Sequence, residues 1–391
     1  MRITFLMPGD HSFPSGGFRV VYEYANRLVS RGHQVTVLHP RKLKYAPPER
    51  FSVYRWLRRS ASRLTTLASR PSIDWHRVDP RVRLLYIPSS DVRYIPQGEA
   101  VFATGWVTVQ SVLECPADRG ENFYLIQGYE GYHAPKELVD ATWRAPLHKI
   151  VVSKWLLEVG KTLGCHDLTH IPNAIDHERY RIVRPLASRS RQVAMLCSRS
   201  PVKGSIDGFE ALRIARDKYP DLKTVAFGTS RRQAGIPEWI EYHQNPPQEV
   251  IVNEIYNCSS VFLSSSLSEG FSLPPAEAAA CGCAVVATDS GGIREYIQSG
   301  VSGLLSPPKD PGPLAENLCL LLGNEDLRVR IATACNEGLR QFNWDRSAAL
   351  MDDYIARAQK RTGSGQAQPL SLQQWAPAPI DTAITGARPL P

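Results

Sequence analysis

The chain has 391 residues, 43% hydrophobic and 21% charged, proportions that fit a globular protein and exclude a fibrous or wholly disordered one. Its length exceeds what one ordinary hydrophobic core encloses and predicts two α/β domains. The formal net charge of +8 is modest for this length, so it fits an anionic substrate or surface without indicating nucleic acid.

The N-terminal segment predicts a β-loop-α-β unit. Residues 2–7 are apolar and predict a first strand, not a signal peptide, and residues 8–17 form a loop rich in Gly, Pro and Ser. Apolar positions recur on one face from 18 to 31, which predicts a helix that ends at Gly32 before a second strand at 34–39. Such units build parallel sheets that are covered by helices.

The same order of elements restarts near residue 190. Strands and helices alternate again there, at 191–197, 205–219, 223–227, 260–264, 275–280 and 284–288. The pattern predicts two doubly wound domains, 1–185 and 186–343, followed by a helix at 344–360 and a disordered, Pro/Gly-rich tail at 361–391. Ligands of open α/β sheets bind beyond the carboxyl ends of the strands, so the cleft between the domains is the expected site.

The segment 268–280 combines two carboxylates with the start of a helix. Pro274 and Pro275 suit a first helical turn, which places Glu277 in that turn and Glu269 in the preceding loop. Between the carboxylates, four backbone amides can converge on one anion, those of Gly270, Phe271, Ser272 and Leu273. A helix N-terminus of this kind accommodates a diphosphate, although ordinary helix capping explains acidic residues here equally well.

This segment resembles the Glu-x7-Glu signature of retaining, family-4 glycosyltransferases with the GT-B fold. Further stretches resemble the family's motifs in the family's order, at 15–17, 31–37, 151–153, 171–176, 198–204 and 288–295. The resemblance covers residues 1 to about 305, and it implies two Rossmann-like domains that face each other across a cleft. It also implies that the C-terminal helix crosses back to the N-terminal domain.

The resemblance implies a metal-independent sugar transfer. In the family, a hexose or deoxyhexose moves, with retention at its anomeric carbon, from a nucleoside-diphosphate sugar to a saccharide or lipid-linked acceptor. The sequence contains no Asp-x-Asp motif and no zinc-type Cys/His spacing, so we expect neither a metal nor a cofactor. The sugar nucleotide itself is the co-substrate.

The family's motifs assign roles to individual residues. Glu269 corresponds to the residue that holds hydroxyls of the donor sugar, and Glu277 to the residue that binds the ribose. Arg199 and Lys203 lie in the donor loop, where their charges meet the negative charge that a departing diphosphate gains. The other predicted donor-binding residues approach the donor through their backbone, and they are Gly16, Gly17, Gly270, Phe271, Ser272 and Leu273.

One position departs from the family. Many members carry a His after an N-domain strand, near the transferred sugar, whereas here the strand 122–126 is followed by Gln127. The stretch 124–130 (YLIQGYE) resembles rhamnosyltransferases of bacterial surface-polysaccharide pathways, in which Gln is usual at this position. We therefore place Gln127 in the catalytic set with Glu269, Arg199 and Lys203, and the resemblance favours a deoxyhexose donor. A non-catalytic nucleotide-sugar-binding scaffold and a nucleotide-sugar epimerase on the same fold are the alternatives.

Basic residues concentrate between positions 41 and 63, against one acid, Glu49. They are Arg41, Lys42, Lys44, Arg50, Arg55, Arg58, Arg59 and Arg63. The stretch fits a surface that contacts an anionic membrane or a lipid-linked acceptor, and it equally fits a solvated helix face. It carries no aromatic-basic motif of a nucleic-acid-binding module, so we expect no nucleic acid partner.

The cysteines predict the compartment. There are eight, without Cys-x-x-Cys spacing, and several lie in apolar runs, as buried reduced thiols do. The sequence also lacks an apolar run of the roughly 18 residues that a membrane span needs. We therefore expect a cytoplasmic protein, with peripheral contact at the inner membrane face if the basic stretch binds lipid.

Overall fold

The computed structural model describes residues 1–9, 14–45, 73–132, 134–165, 167–232 and 235–363. Most of the predicted basic stretch, from residue 46 onward, lies outside the described residues. The predicted tail is helical as far as Gly363, and its remaining residues also lie outside them. None of the helices in the described part is both long and apolar enough to cross a bilayer.

Among the described residues, seven parallel strands form the first sheet, in the order β3-β2-β1-β4-β5-β6-β7. Their bounds are β1 Arg2–Leu6, β2 Gln34–Pro40, β3 Arg83–Ile87, β4 Ala100–Ala103, β5 Glu121–Ile126, β6 His148–Val151 and β7 Leu168–His170. Every residue of β4 is buried, as expected where helices cover both faces of a parallel sheet. The strand order reverses between β1 and β4, which makes their carboxyl ends the switch point of this sheet.

In the second half of the chain, six parallel strands of the described part form the second sheet, in the order β10-β9-β8-β11-β12-β13. Their bounds are β8 Gln192–Leu196, β9 Lys223–Gly228, β10 Glu241–Gln244, β11 Val261–Ser264, β12 Ala284–Thr288 and β13 Leu304–Ser306. The order reverses between β8 and β11, so the second switch point lies at the carboxyl ends of these two strands.

Helices cover the faces of the two sheets. Their bounds are α1 Gly16–Ser30, α2 Trp106–Leu113, α3 Lys136–Arg144, α4 Lys154–Thr162, α5 Ser205–Lys218, α6 Gln248–Val250, α7 Leu273–Ala280, α8 Pro311–Gly323, α9 Glu325–Leu339 and α10 Trp344–Gly363. Helix α6 continues as a π-helical turn, Ile251–Tyr256. Helix α1 begins at Gly16, earlier than predicted, because Ser15 is the extended N-cap residue and both following glycines are helical.

The last helix, α10, packs against the first sheet's side of the molecule. Trp344 meets the ring of Tyr24 edge to face, with ring centroids 5.3 Å apart, and only 4% of its surface is exposed. Further along the helix, Tyr354 meets Phe123 of β5 in the same geometry at 5.9 Å. These aromatic contacts attach α10 to the N-terminal half.

The two sheets turn their carboxyl ends toward each other. The residues that follow β1, β5 and β6 contact the residues that follow β11 and β12. The carboxylate of Glu295, after β12, accepts a hydrogen bond from the backbone N–H of Lys154, after β6, at 2.7 Å. Its other oxygen lies 3.2 Å from Nε2 of His170 in β7. The fold therefore brings both switch points to one junction.

Candidate active site

The glycines of the first loop lie where the two halves of the chain meet. A Cβ atom on Gly16 would lie 3.8 Å from Cδ1 of Leu273, at the start of α7. A Cβ atom on Gly17 would lie 3.5 Å from Oε1 of Gln127, which follows β5. The structure therefore brings Gly16, Gly17, Gln127 and Leu273, which are distant in sequence, into one group.

Gly270 allows the closest approach across this junction. A Cβ atom at this position would lie 1.8 Å from the carbonyl oxygen of Gln127, so only glycine fits. On its other side, a Cβ atom on Gly292 would lie 2.3 Å from the carbonyl carbon of Gly270. The loop that carries Glu269 and Gly270 is thus enclosed by backbone on both sides. Its position is fixed further by the hydrogen bond from Glu269 N–H to Ser290 O, at 2.9 Å.

Helix α7 begins with a set of unpaired donors. The amides of Gly270, Phe271, Ser272 and Leu273 find no hydrogen-bond acceptor among the described residues. Pro274 and Pro275 follow them and contribute no N–H groups. The donors therefore concentrate at the entry to the helix, where the helix dipole favours an anion.

Ser272 is the most unusual residue of this helix entry. Its φ of 71° and ψ of 72° lie in the left-handed region, which a residue other than glycine occupies only when its surroundings enforce it. Its Oγ is buried and has no hydrogen-bond partner within the described part of the chain. A strained backbone and an unsatisfied hydroxyl at a helix N-terminus together indicate a ligand site.

Phe271 contributes to this site only through its amide. Its ring packs against Tyr296 and Phe342, with centroids 5.3 Å and 5.7 Å away, and only 2% of the residue is exposed. The side chain of this predicted donor-binding residue therefore belongs to the core. Its packing holds the loop that presents the free amides.

Lys203 and Glu269 lie together in front of α7. Lys203 Nζ is 2.6 Å from Glu269 Oε1, and both side chains are partly buried. They line a small pocket with Ser264, Ser272 and Pro274. Lys203 is held there because a Cβ atom on the next residue, Gly204, would lie 2.0 Å from the carbonyl oxygen of Ser265. The loop after β8 is thereby pressed against the end of β11.

Arg199 does not join this group. Its side chain is exposed, and it forms no hydrogen bond or ion pair with any described residue. The structure thus brings Lys203 to Glu269 and leaves the other predicted cation of the donor loop at the surface.

Glu277 is buried against an arginine that the sequence analysis did not select. Its Oε1 lies 2.5 Å from Nη2 of Arg19, and Arg19 Nη1 donates to Tyr180 Oη at 2.9 Å. Burial raises the pKa of Glu277, and the positive charges of Arg19 and Arg179 oppose that shift. Arg19 lies just after Gly17 in the first turn of α1. Its position beside the glycine-rich loop was the one feature of the sequence that could have indicated a site residue.

This ion pair closes one side of a second pocket. The pocket is small, and its lining includes Arg19, Glu23, Asp176, Arg179, Glu277 and Trp344. Its lining carries three carboxylates and two guanidinium groups, and it lies where α1 meets the segment that joins the two halves. The predicted ribose-binding carboxylate therefore faces the N-terminal half and not open solvent.

Gln127 lies between the glycine-rich loop and the loop of Gly270. Its Oε1 is buried and accepts no hydrogen bond from the described residues. Its carbonyl oxygen contacts Gly270, as described above. A buried amide oxygen without a donor is costly, so this side chain is a candidate for contact with a ligand hydroxyl.

Glu130 is a second residue that the sequence analysis missed. Its Oε2 accepts a hydrogen bond from the backbone N–H of Trp106 at 2.8 Å and one from the hydroxyl of Tyr124 at 3.4 Å. Burial raises the pKa of this carboxyl to about 7, and these two donors oppose the shift. The signal was present in the stretch 124–130, which was interpreted only for Gln127.

Comparison with known proteins places the second half of the chain in context. Residues 176–337 match the family model of the group 1 glycosyl transferases. A D-inositol 3-phosphate glycosyltransferase of Xylanimonas cellulosilytica is 36% identical over 129 residues, which is 33% of this chain and 31% of that protein. The matched segment thus spans about a third of the relative's length.

Two solved structures resemble nearly the whole chain. Sucrose-phosphate synthase from Thermosynechococcus elongatus has a TM-score of 0.70 at 16% identity, covering 94% of this chain and 100% of that one. HepE of Anabaena, in complex with UDP and glucose, has a TM-score of 0.67 at 15% identity, covering 91% and 100%. At such identities the likeness concerns the fold. The prediction of a GT-B fold, with two doubly wound domains across a cleft, is confirmed.

Proposed function

We propose that this chain is a retaining glycosyltransferase that moves a hexose or deoxyhexose from a nucleoside-diphosphate sugar to a saccharide or lipid-linked acceptor, without a metal ion. The observation that carries the proposal is the set of free amides at the entry of α7, beside Lys203 and Glu269. It lies within the segment 176–337 that matches the group 1 glycosyl transferases. HepE, which shares the fold, was solved with UDP and glucose.

The donor diphosphate lies at the entry of α7 in this proposal. The helix N-terminus carries a partial charge of roughly +0.5, and the free amides of 270–273 add directed hydrogen bonds. Lys203 leaves Glu269 to meet the phosphate, where it offsets the negative charge that builds up as the glycosidic bond breaks. Glu269, freed from the lysine, accepts hydrogen bonds from hydroxyls of the donor sugar.

The ribose lies beside Glu277. In the free chain, Oε1 of Glu277 faces Arg19, so the ribose hydroxyls either bind Oε2 or displace the guanidinium. Arg19 then lies close to the donor, because it belongs to the same helical turn as Gly16 and Gly17. Its charge adds to that of Lys203 near the phosphates.

The transferred sugar lies between Gln127 and the loop of Gly270. Backbone from both halves meets there, so a bound sugar is enclosed and water is excluded, which protects the donor from hydrolysis. In a front-face transfer, the acceptor oxygen forms its bond to the anomeric carbon on the side that the diphosphate leaves. The bond to the leaving oxygen breaks with its electron pair, and the leaving phosphate takes the acceptor's proton.

A panel of donors tests this proposal. Purified protein is incubated with UDP-, GDP-, ADP- and TDP-linked hexoses and deoxyhexoses and a library of p-nitrophenyl glycosides, with and without EDTA. We expect one donor to be consumed, a product whose anomeric proton shows retention by NMR, and no effect of EDTA. Lys203→Met should lower turnover about 10- to 100-fold. The control Lys223→Met, at the amino end of β9 and away from the site, should leave turnover unchanged.

The other outcomes of this panel separate the alternatives. Nucleotide binding without turnover would favour a non-catalytic scaffold. Conversion of a nucleotide sugar into its epimer without an acceptor would favour an epimerase. Transfer with inversion, or transfer abolished by EDTA, would contradict the proposed mechanism while keeping the class of enzyme.

Peripheral membrane contact extends the same proposal. The basic stretch beginning at Arg41 would hold the cytoplasmic protein at an anionic surface, close to a lipid-linked acceptor. Replacing Arg55, Arg58 and Arg59 by Glu should abolish cosedimentation with vesicles rich in phosphatidylglycerol. Equal cosedimentation of this variant and the wild type would remove the membrane from the account.

A further inference from the structure

The carboxylate of Glu130 lies over the carboxyl ends of the central strands of the first sheet. Glu130 begins the turn that follows β5. Its Oε1 would lie 3.6 Å from a Cβ atom on Gly105, the residue at the N-cap of α2 just beyond β4. The same Cβ atom would lie 3.2 Å from Cβ of Pro8, which follows β1. The carboxylate therefore lies at the switch point between β1 and β4, where open α/β sheets bind ligands.

Only one oxygen of this carboxylate is engaged. Oε2 accepts from Trp106 N–H and from the Tyr124 hydroxyl, whereas Oε1 accepts no hydrogen bond from any described residue. The N-cap of α2 is Gly105, which has no side chain, so Oε2 of Glu130 takes over the capping of that helix. Capping needs a single acceptor, which leaves Oε1 available.

Glu130 also differs in charge environment from the other carboxylates near the cleft. Glu269 pairs with the cation of Lys203, and Glu277 pairs with that of Arg19. No cation pairs with Glu130 in the described ranges of the chain, and the titratable group that faces it is the Tyr124 phenol. An anionic phosphate is therefore an unfavourable partner here, whereas a neutral hydroxyl group is a favourable one.

We propose that Oε1 of Glu130 accepts a hydrogen bond from a hydroxyl group of the saccharide acceptor and so positions the acceptor in the cleft. This assignment depends on the proposed transferase activity. The donor site lies on the second sheet and this residue on the first, so the two contacts divide donor and acceptor between the halves of the chain. A neutral polyhydroxylated ligand suits an acid that has a free oxygen and no counter-ion.

The substitution Glu130→Gln separates positioning from capping. Glutamine has nearly the same shape, and its carbonyl oxygen still accepts from Trp106 N–H, so the thermal midpoint should stay within about 2 °C of the wild type. Glu130→Ala also loses the cap and should lower the midpoint. With its oxygen on Trp106, the glutamine places its NH2 group where Oε1 was, so this position donates a hydrogen bond and the charge-assisted bond that Oε1 accepts from the sugar hydroxyl is lost, while the fold is left unchanged.

The readouts are the Kd for the nucleoside diphosphate and kcat/KM for the p-nitrophenyl glycoside that the wild type uses best. We expect Glu130→Gln to bind nucleotide as the wild type does and to lose about tenfold in kcat/KM for the acceptor, mainly through KM. Equal kcat/KM for both proteins would overturn the proposal and leave Glu130 as a helix cap. If neither protein binds nucleotide, the proposed transferase function itself has failed.

A structural arm covers the case in which the wild type binds nucleotide but uses none of these glycosides. Crystals of the wild type with bound nucleotide are soaked in methyl hexosides. A sugar hydroxyl within hydrogen-bond distance of Oε1 supports the proposal. A sugar that binds elsewhere, or no bound sugar at Glu130 at saturating concentration, overturns it.

Discussion

Replacing Arg19 by Met tests the buried ion pair at the junction of the two halves. Arg19 and Glu277 approach to 2.5 Å, with side chains only 15% and 6% exposed. Removal of one partner leaves an uncompensated buried charge, which typically costs about 3–5 kcal/mol of unfolding free energy. We therefore expect urea denaturation at pH 8 to show a loss of about this size for Arg19→Met.

The pH dependence of this loss follows from the sign of the pKa shift. Burial already raises the pKa of Glu277, and removal of the guanidinium raises it further because a cation that favours the charged form is gone. An acid with a raised pKa in the folded state stabilises the fold at low pH and loses that contribution as pH rises, by about 1.4 kcal/mol per unit. The cost of Arg19→Met should thus be smaller at pH 5 than at pH 8.

Two further variants complete the test. Adding Glu277→Gln to Arg19→Met removes the stranded charge and should recover most of the lost stability at pH 8. Arg213→Met, on the exposed face of α5, removes an arginine that pairs only with exposed carboxylates and should leave the urea midpoint unchanged. An equal cost of Arg19→Met at both pH values, together with no recovery in the double variant, would refute the reasoning.

Two other predictions concern the loop before α7. Gly270→Ala would place a methyl group 1.8 Å from the Gln127 carbonyl oxygen, so the backbone must move by more than 1 Å and turnover should fall about 100-fold. The control Gly338→Ala, whose Cβ meets nothing within 4 Å, should leave turnover intact. Unchanged turnover in Gly270→Ala would contradict the closed junction. Ser272→Gly should raise stability by about 1–2 kcal/mol because it relieves a left-handed backbone, and weaken nucleotide binding about tenfold by removing the free hydroxyl. The control Lys309→Gly relieves a φ of 63° away from the site, so it should raise stability without changing nucleotide binding. Normal nucleotide binding by Ser272→Gly would show that the Ser272 hydroxyl has no role in binding.

The repeated pattern of strands and helices was enough to predict that each half of the chain builds a parallel sheet, but β3, β4, β10 and β13 were not predicted. A strand buried on both faces is a short apolar run, and a covering helix has a 3.6-residue period, so local sequence specifies both. The short edge strand β10 was missed because its four residues, Glu241–Gln244, are polar and half exposed. Helix α7 was predicted to begin at Pro275 and begins at Leu273, because the left-handed Ser272 sets its start.

The site was predictable only in part because its contacts join distant segments. The motif around Glu269 places donors and a carboxylate within a few residues, and local sequence carries that information. The pairing of Arg19 with Glu277 joins helices α1 and α7, which belong to different halves of the chain, and no local pattern encodes it. The contact of Glu130 with Trp106 is likewise not local, because the neighbouring positions of β4 and β5 in the sheet bring these residues together, whereas Tyr124 lies in the same stretch as Glu130.

Isothermal titration calorimetry with nucleoside diphosphates, in EDTA, shows whether a diphosphate binds at the entry of α7 without a metal. We compare UDP, GDP, ADP and TDP on the wild type, Lys203→Met and the control Lys223→Met. We expect one nucleotide to bind the wild type and the control equally, without a metal, and to bind Lys203→Met about 10- to 100-fold more weakly. Binding that requires a divalent metal, or that is unchanged in Lys203→Met, would contradict a diphosphate site at the entry of α7.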